Sequence, residues 1–239
     1  MAAINSHAMV VDGRTLYPHM YGAQGWHDYQ PSPYAVGADE LWYWSMKDED
    51  RRLGPRDDWH AFLDGKAAGY PEQALRAEFS RIRARVEAIR RDTSTADTRL
   101  ADDPLGNNPA TVDALLRLVL GGISPGNRGT VLHCRVRYFD PDGRRPGLPP
   151  DVAALVEGMT ADSTTLRLVN LCQTARRTVI VQSGAYGEHA CDSVALDGRE
   201  VPVGSTSVSV RLAPGAGSRL VLKIRRYVNV PTLMPPWER

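Results

Sequence analysis

Two short stretches of this sequence gather groups able to move protons. The first runs Pro18-His19-Met20-Tyr21-Gly22-Ala23-Gln24-Gly25-Trp26-His27-Asp28-Tyr29, with Glu40 close behind. Imidazole and carboxylate groups act as general acids and bases when their surroundings tune them. Indole and phenol rings present apolar faces with polar edges, suited to stacking on a sugar or another planar ligand. His27, Asp28 and Glu40 are therefore the candidate catalytic groups, and His19, Trp26 and Trp44 the candidate ligand-binding walls. The commoner arrangement competes with this one: rings that pack an irregular segment, and polar groups that satisfy its backbone.

The second stretch is Gln182-Ser183-Gly184-Ala185-Tyr186-Gly187-Glu188-His189. Glu188 and His189 form a reserve acid–base pair. Neighbours on a strand point to opposite faces, so both reach one site only across a bulge or turn, which Gly184 and Gly187 allow. The plainer alternative is a polar hairpin with a hydrogen-bonded histidine. His133, Cys134, Cys172, His189 and Cys191 lack C-x-x-C or H-x-x-x-H spacing, and single cysteines in strands are usually small core residues. No metal site and no cofactor is expected. GxGxxG, the P-loop, the GxSxG elbow and HExxH are all absent from the sequence.

The elements that must position these groups change character near the middle of the chain. Trp26, Trp42, Trp44 and Trp59 stand among Tyr17, Tyr21, Tyr29, Tyr34 and Tyr43 in the N-terminal part. Glycines and prolines across residues 1–36 predict an extended, packed loop. Ala38 to Lys47 predicts a buried helix, with Gly54-Pro55 as a stop further on. Leu75, Phe79, Ile82, Val86 and Ile89 step by 4, 3, 4 and 3, which predicts a helix over 71–91 and a buried apolar stripe. Residues 92–107 read as a linker. A further helix is predicted from an Asn108 cap to a Gly121-Gly122 stop.

From Thr130 onward, six runs alternate or carry β-branched residues: TVLHCRVRYF, TTLRLVNLC, RTVIVQSG, EHACDSVAL, TSVSVRL and SRLVLKIRRY. Asp151 to Val156 predicts a short helix before the second of them. Asp197-Gly198 and Pro214-Gly215 predict turns. The proline-rich tail predicts an extended segment anchored by Trp237. The expectation is an α+β chain, with an aromatic-rich helical part over 1–128 and an antiparallel β-sandwich-like module over 129–239.

At 239 residues and a formal net charge of +1, the chain can bury a core and does not suit a nucleic-acid binder driven by bulk charge. No apolar run reaches the ~18 residues needed to cross a bilayer. Three cysteines and no signal-peptide pattern favour a reduced, cytoplasmic setting without a disulfide framework.

The stretches Thr165-Leu166-Arg167-Leu168-Val169-Asn170-Leu171 and Arg177-Thr178-Val179-Ile180-Val181-Gln182 are similar to terminal β modules of larger carbohydrate-active proteins. In those, an (α/α) barrel of glycosidase or polysaccharide-lyase type precedes a β-sandwich. The resemblance covers residues 130–228. The few helices here fall far short of such a barrel, so it implies a fragment, a subunit or a degenerate relative, and carries over no catalytic residue. Two readings follow. One is part of an enzyme acting on a carbohydrate or similar polyhydroxylated small molecule. The other is a non-catalytic subunit docking on a partner chain, or on a second copy, through its aromatic N-terminal segment.

Overall fold

The computed structural model describes residues 1–54, 57–95, 108–124, 131–196 and 198–238. The chain divides into two compact units, Met1–Arg56 and Asp57–Arg239. It is an α+β protein. No helix among the described residues is long and apolar enough to cross a membrane.

The N-terminal unit corrects the loop predicted for residues 1–36. After the single turn α1 (Ala2–Asn5) come β1 (Met9–Val11), β2 (Arg14–Gly22) and β3 (Gly25–Gln30), an antiparallel meander in the order β1-β2-β3. The first link is a two-residue hairpin turn in which Asp12 (φ 49) and Gly13 (φ 73) are both left-handed. That turn matches the right-handed twist of the strands it joins, which is why Asp-Gly sits there. The glycines are hairpin corners; as mere breakers they hid a sheet. Two helices follow, α2 (Ala38–Ser45) and α3 (Asp48–Arg51). Trp42 and Tyr43 are buried, with their rings edge to face 5.0 Å apart, while the Arg51 guanidinium lies 5.3 Å over Trp42.

The second unit begins with α4 (Asp58–Leu63), α5 (Tyr70–Arg91) and α6 (Asp113–Leu120). The helix predicted over 71–91 is present without a break, with Pro71 in its first turn. The three helices thus belong to the same compact unit as the strands that follow. Short strands β4 (Gly122–Ile123) and β5 (His133–Cys134) pair with each other.

The remaining strands form two antiparallel sheets. They are β6 (Val136–Asp140), β7 (Arg145–Pro146), β8 (Val152–Met159), β9 (Ser163–Asn170), β10 (Arg177–Ser183), β11 (Ala190–Leu196), β12 (Arg199–Ser205), β13 (Ser207–Leu212) and β14 (Gly217–Arg225). One sheet runs β13-β10-β6-β7 and the other β12-β11-β14-β9-β8. The predicted short helix Asp151–Val156 is instead strand β8. Its Ala-Ala-Leu core favours helix locally, but Val152 (8% exposed) and Val156 (0%) fill the space over β9, and such burial overrides a weak propensity. Among the predicted turns, Gly215 is left-handed, and Asp197 lies outside the described residues. Part of the predicted linker, residues 96–107, lies outside them too.

Period-two alternation builds the core. On β9, Leu166 and Leu168 point inward, and on β14 so do Leu220 and Leu222; all are at most 2% exposed. They meet Val179 and Val181 of β10 within one apolar cluster, which Trp59 of α4 and Leu118 of α6 extend. Asn170 is wholly buried at the end of β9, where its amide donates to Ala175 O (2.8 Å) and Ala213 O (3.0 Å) and accepts from Cys172 N (3.1 Å). The hydrogen bonds of this buried amide offset its desolvation and fix the corner. On the outer surface, Arg167 and Arg219 clasp Glu157 at 2.6 and 3.0 Å.

Candidate functional site

The strand register decides how the N-terminal candidates are presented. Tyr21 pairs with Trp26 and Met20 with His27, and adjacent strand residues alternate faces. Trp26 and His27 therefore serve opposite sides of the sheet. The Trp26 ring lies edge to face with Tyr21 at 4.9 Å and tilted against His7 at 5.5 Å. His27 packs over the backbone of Gly22, where an added Cβ would sit 3.3 Å from its Cε1.

Asp28 is left-handed (φ 56), and its carboxylate accepts from Gln30 Nε2 at 3.1 Å. His19 donates through Nε2 to Ser32 O (2.8 Å), and its ring lies 5.8 Å from Tyr34. Glu40 and Trp44 lie one turn apart on α2, Glu40 half-buried and Trp44 49% exposed. No hydrogen bond or ion pair among the described residues joins His27, Asp28 and Glu40 to one another. What the structure brings together is Trp26 with Tyr21 and His7.

The reserve pair in the second unit is closer but already engaged. Gly184 (φ 83) opens a tight loop after β10, and a Cβ there would run into the Glu188 carboxylate. That carboxylate accepts the backbone N–H groups of Ala185 (3.2 Å) and Tyr186 (2.7 Å), closing the loop. His189 is 3% exposed, and its Nδ1 accepts the Tyr227 N–H at 3.1 Å. Its proton must then reside on Nε2, which lies 3.8 Å from Glu188 Oε1, beyond hydrogen-bond range. Burial, then the Arg135 and Arg226 cations, push this imidazole down to about 4 from its usual 6.5.

The C-terminal segment is tied to the same loop. Val228 N and Asn229 N donate to Glu188 O, Thr232 N donates to Tyr186 O, and Trp237 packs edge-on against Phe139 at 5.9 Å. Trp237 thus anchors the tail.

A third acid–base pair was not picked out from the sequence. Asp57 caps α4, accepting His60 N at 3.1 Å. His60 Nδ1 donates to its Oδ1 (2.6 Å) and Arg117 Nη1 to its Oδ2 (2.6 Å). Burial alone would raise this carboxyl, but the His60 hydrogen bonds and then Arg117 outweigh it, holding it well below the usual carboxylate range. The available signal was Asp57 three residues before His60 at the start of an apolar helix. His60 is 7% exposed, and through Arg117 the Asp57 carboxylate fastens α4 to α6.

Cys134 is buried, and burial followed by Glu188 pushes its thiol up to about 12 despite Arg137 and Arg135. It is inert as a nucleophile near neutral pH. Among the described residues, no group of three or more His, Cys, Asp or Glu is placed to hold a metal ion.

The imidazole–carboxylate neighbours of the second unit are thus spent on the fold, and in the N-terminal unit several large apolar and aromatic side chains face solvent beside the exposed His27 and Asp28. On β1 and β2, Val10 is 71% exposed, Tyr21 70%, Met20 54% and Met9 45%. Comparison with protein-family models, with curated proteins and with solved structures finds no match to this chain.

Proposed function

We propose that this chain is a non-catalytic subunit that docks on a partner protein through the open meander of its N-terminal unit. The observation that carries the reading is the exposure of large apolar side chains on regular strands, Val10 and Tyr21 on one face of the meander and Met20 on the other. Isolated surface apolar residues are ordinary, but several on one small sheet mark a docking surface. Trp26, braced between Tyr21 and His7, stiffens the platform, and a stiff aromatic anchor loses little entropy on binding.

The test is affinity capture from the native source with the wild-type chain and with a Met20→Ser, Tyr21→Ser double variant. A stoichiometric partner held by the first and lost by the second is expected. Equal capture by both refutes the reading. A second reading, a polyhydroxylated ligand, has the exposed Tyr21 ring beside Trp26 in its favour. Quenching of tryptophan fluorescence by oligosaccharides, abolished in Tyr21→Ser, would select it.

A further inference from the structure

Helix α5 carries an apolar stripe that, past its first turns, the described residues leave largely exposed. The helix is 22 residues long, about 33 Å at 1.5 Å per residue. Near its start, Tyr70, Ala74 and Leu75 pack against the sandwich core. Further along, Phe79 is 58% and Ile89 45% exposed, with Ile82 and Val86 only half-buried between them. Its one buried residue is Glu78.

The anchoring contacts lie on one flank. Thr111 Oγ1 donates to Glu78 Oε1 at 2.5 Å, Arg81 pairs with Asp113 of α6 at 3.9 Å, and Arg85 Nη1 donates to Asn108 O at 2.8 Å. Phe79 stands about 100° round the helix from Glu78. The helix is therefore held by its flank while the stripe beside it faces solvent.

Charge says what could cover the stripe. Arg76, Arg83 and Arg90 recur every seven residues along its far border, and the helix carries six arginines against three glutamates. Arg76 and Arg90 pair with Glu72 and Glu87 (2.7 Å each) in exposed bridges of little strength. A second copy fits poorly. Antiparallel pairing would set the arginine row against itself, and parallel pairing would set Arg85 against Arg90 of the other copy. Glu78, the acid that could relieve this, is buried and committed to Thr111 and Arg81.

We propose that α5 forms one half of an intermolecular helix pair, whose other half is an amphipathic helix of a different protein with acidic residues bordering its apolar seam. This rests on the reading of the chain as a docking subunit, but places a second contact surface in the other unit.

The test uses two labelled synthetic peptides of three heptads, with leucine along the seam and either glutamate or lysine at the bordering positions. Fluorescence anisotropy with the full chain should show micromolar binding of the glutamate peptide and at least tenfold weaker binding of its lysine twin. Phe79→Ser and Arg83→Glu should each weaken the glutamate peptide about tenfold without lowering the melting temperature, because both side chains are exposed. Equal affinity for the two peptides, or none, overturns the proposal. So does a dimer in light scattering that Phe79→Ser dissolves, since the stripe then belongs to a second copy. The Met20→Ser, Tyr21→Ser variant should bind the peptide unchanged. If it does not, the peptide is reading the N-terminal sheet and the assignment to α5 fails, whatever the capture assay reports.

Discussion

Replacing His189 by glutamine should remove an acid sensitivity from the second unit. His189 is neutral in the fold, accepting the Tyr227 N–H at 3.1 Å while Arg135 and Arg226 oppose its protonation. Its pKa falls from 6.5 to about 4 on folding, so the unfolded chain takes up the proton first. The stabilisation is therefore complete above pH 6.5 and is lost progressively as pH falls towards 4. A gap of this size corresponds to roughly 3 kcal/mol at full extent, of which less than half is gone by pH 5.5 and most by pH 4.5. Glutamine can still accept the Tyr227 N–H through its carbonyl oxygen and does not titrate. Urea denaturation of both proteins from pH 7.5 to 4.5 reads the difference. The wild type should lose roughly 2–3 kcal/mol more than His189→Gln across that range. Profiles that stay parallel within about 0.5 kcal/mol would refute the reasoning, because the histidine would then carry the same proton affinity folded and unfolded.

Three further outcomes are expected. Asp57→Ala removes the α4 cap and strips Arg117 of a partner at 2.6 Å; a loss of roughly 1–2 kcal/mol in chemical denaturation is expected, shrinking as pH falls below about 4, where the unfolded chain's carboxyl takes up a proton while the folded one stays charged. Phe79→Ala should cost less than about 0.5 kcal/mol in a thermal melt, as for a surface residue, whereas a loss of ~3–5 kcal/mol would mean the ring is buried. Gly184→Ala demands both a left-handed alanine and displacement of the Glu188 carboxylate, so it should destabilise by more than about 1 kcal/mol. Gly198→Ala, left-handed but with open space around it, supplies the control that isolates the steric part.

Regular elements were legible where one periodicity ran unopposed. The 4-3-4-3 spacing found α5, and inward Leu220, Leu222 and Ile224 found β14. Periodicity says which residues share a face, however, and not what lies against it, so the stripe expected to be buried stands largely open. The N-terminal meander was missed because Gly22 and Gly25 were read as interruptions when they are the corner of paired strands, and the Asp12-Gly13 turn went unread. In β8, local preference pointed one way and Val152 and Val156 were needed elsewhere. Of the site residues, Glu188 and His189 were recognisable as neighbours. Their engagement by Ala185, Tyr186 and Tyr227 depends on a left-handed Gly184 and on a segment 38 residues downstream, which no local pattern records. Trp26 and His27 looked like one cluster because they are adjacent in sequence, and adjacency on a strand is what separates them.

The position of β14 governs the order in which the chain can acquire structure. Each link of the N-terminal meander joins neighbours in sequence, so that sheet can form as soon as residue 30 is free. The five-stranded sheet cannot. Its centre is β14, the last strand, which must insert between β9 and β11. At 5–20 residues per second, roughly 3–11 s of synthesis separate the end of β9 from the end of β14. During that interval β9, and β11 once it has been made, each offer an unpaired edge. The sandwich is thus slow to close by topology and exposed to mispairing while it waits, whereas the surface on which docking is proposed is ready first.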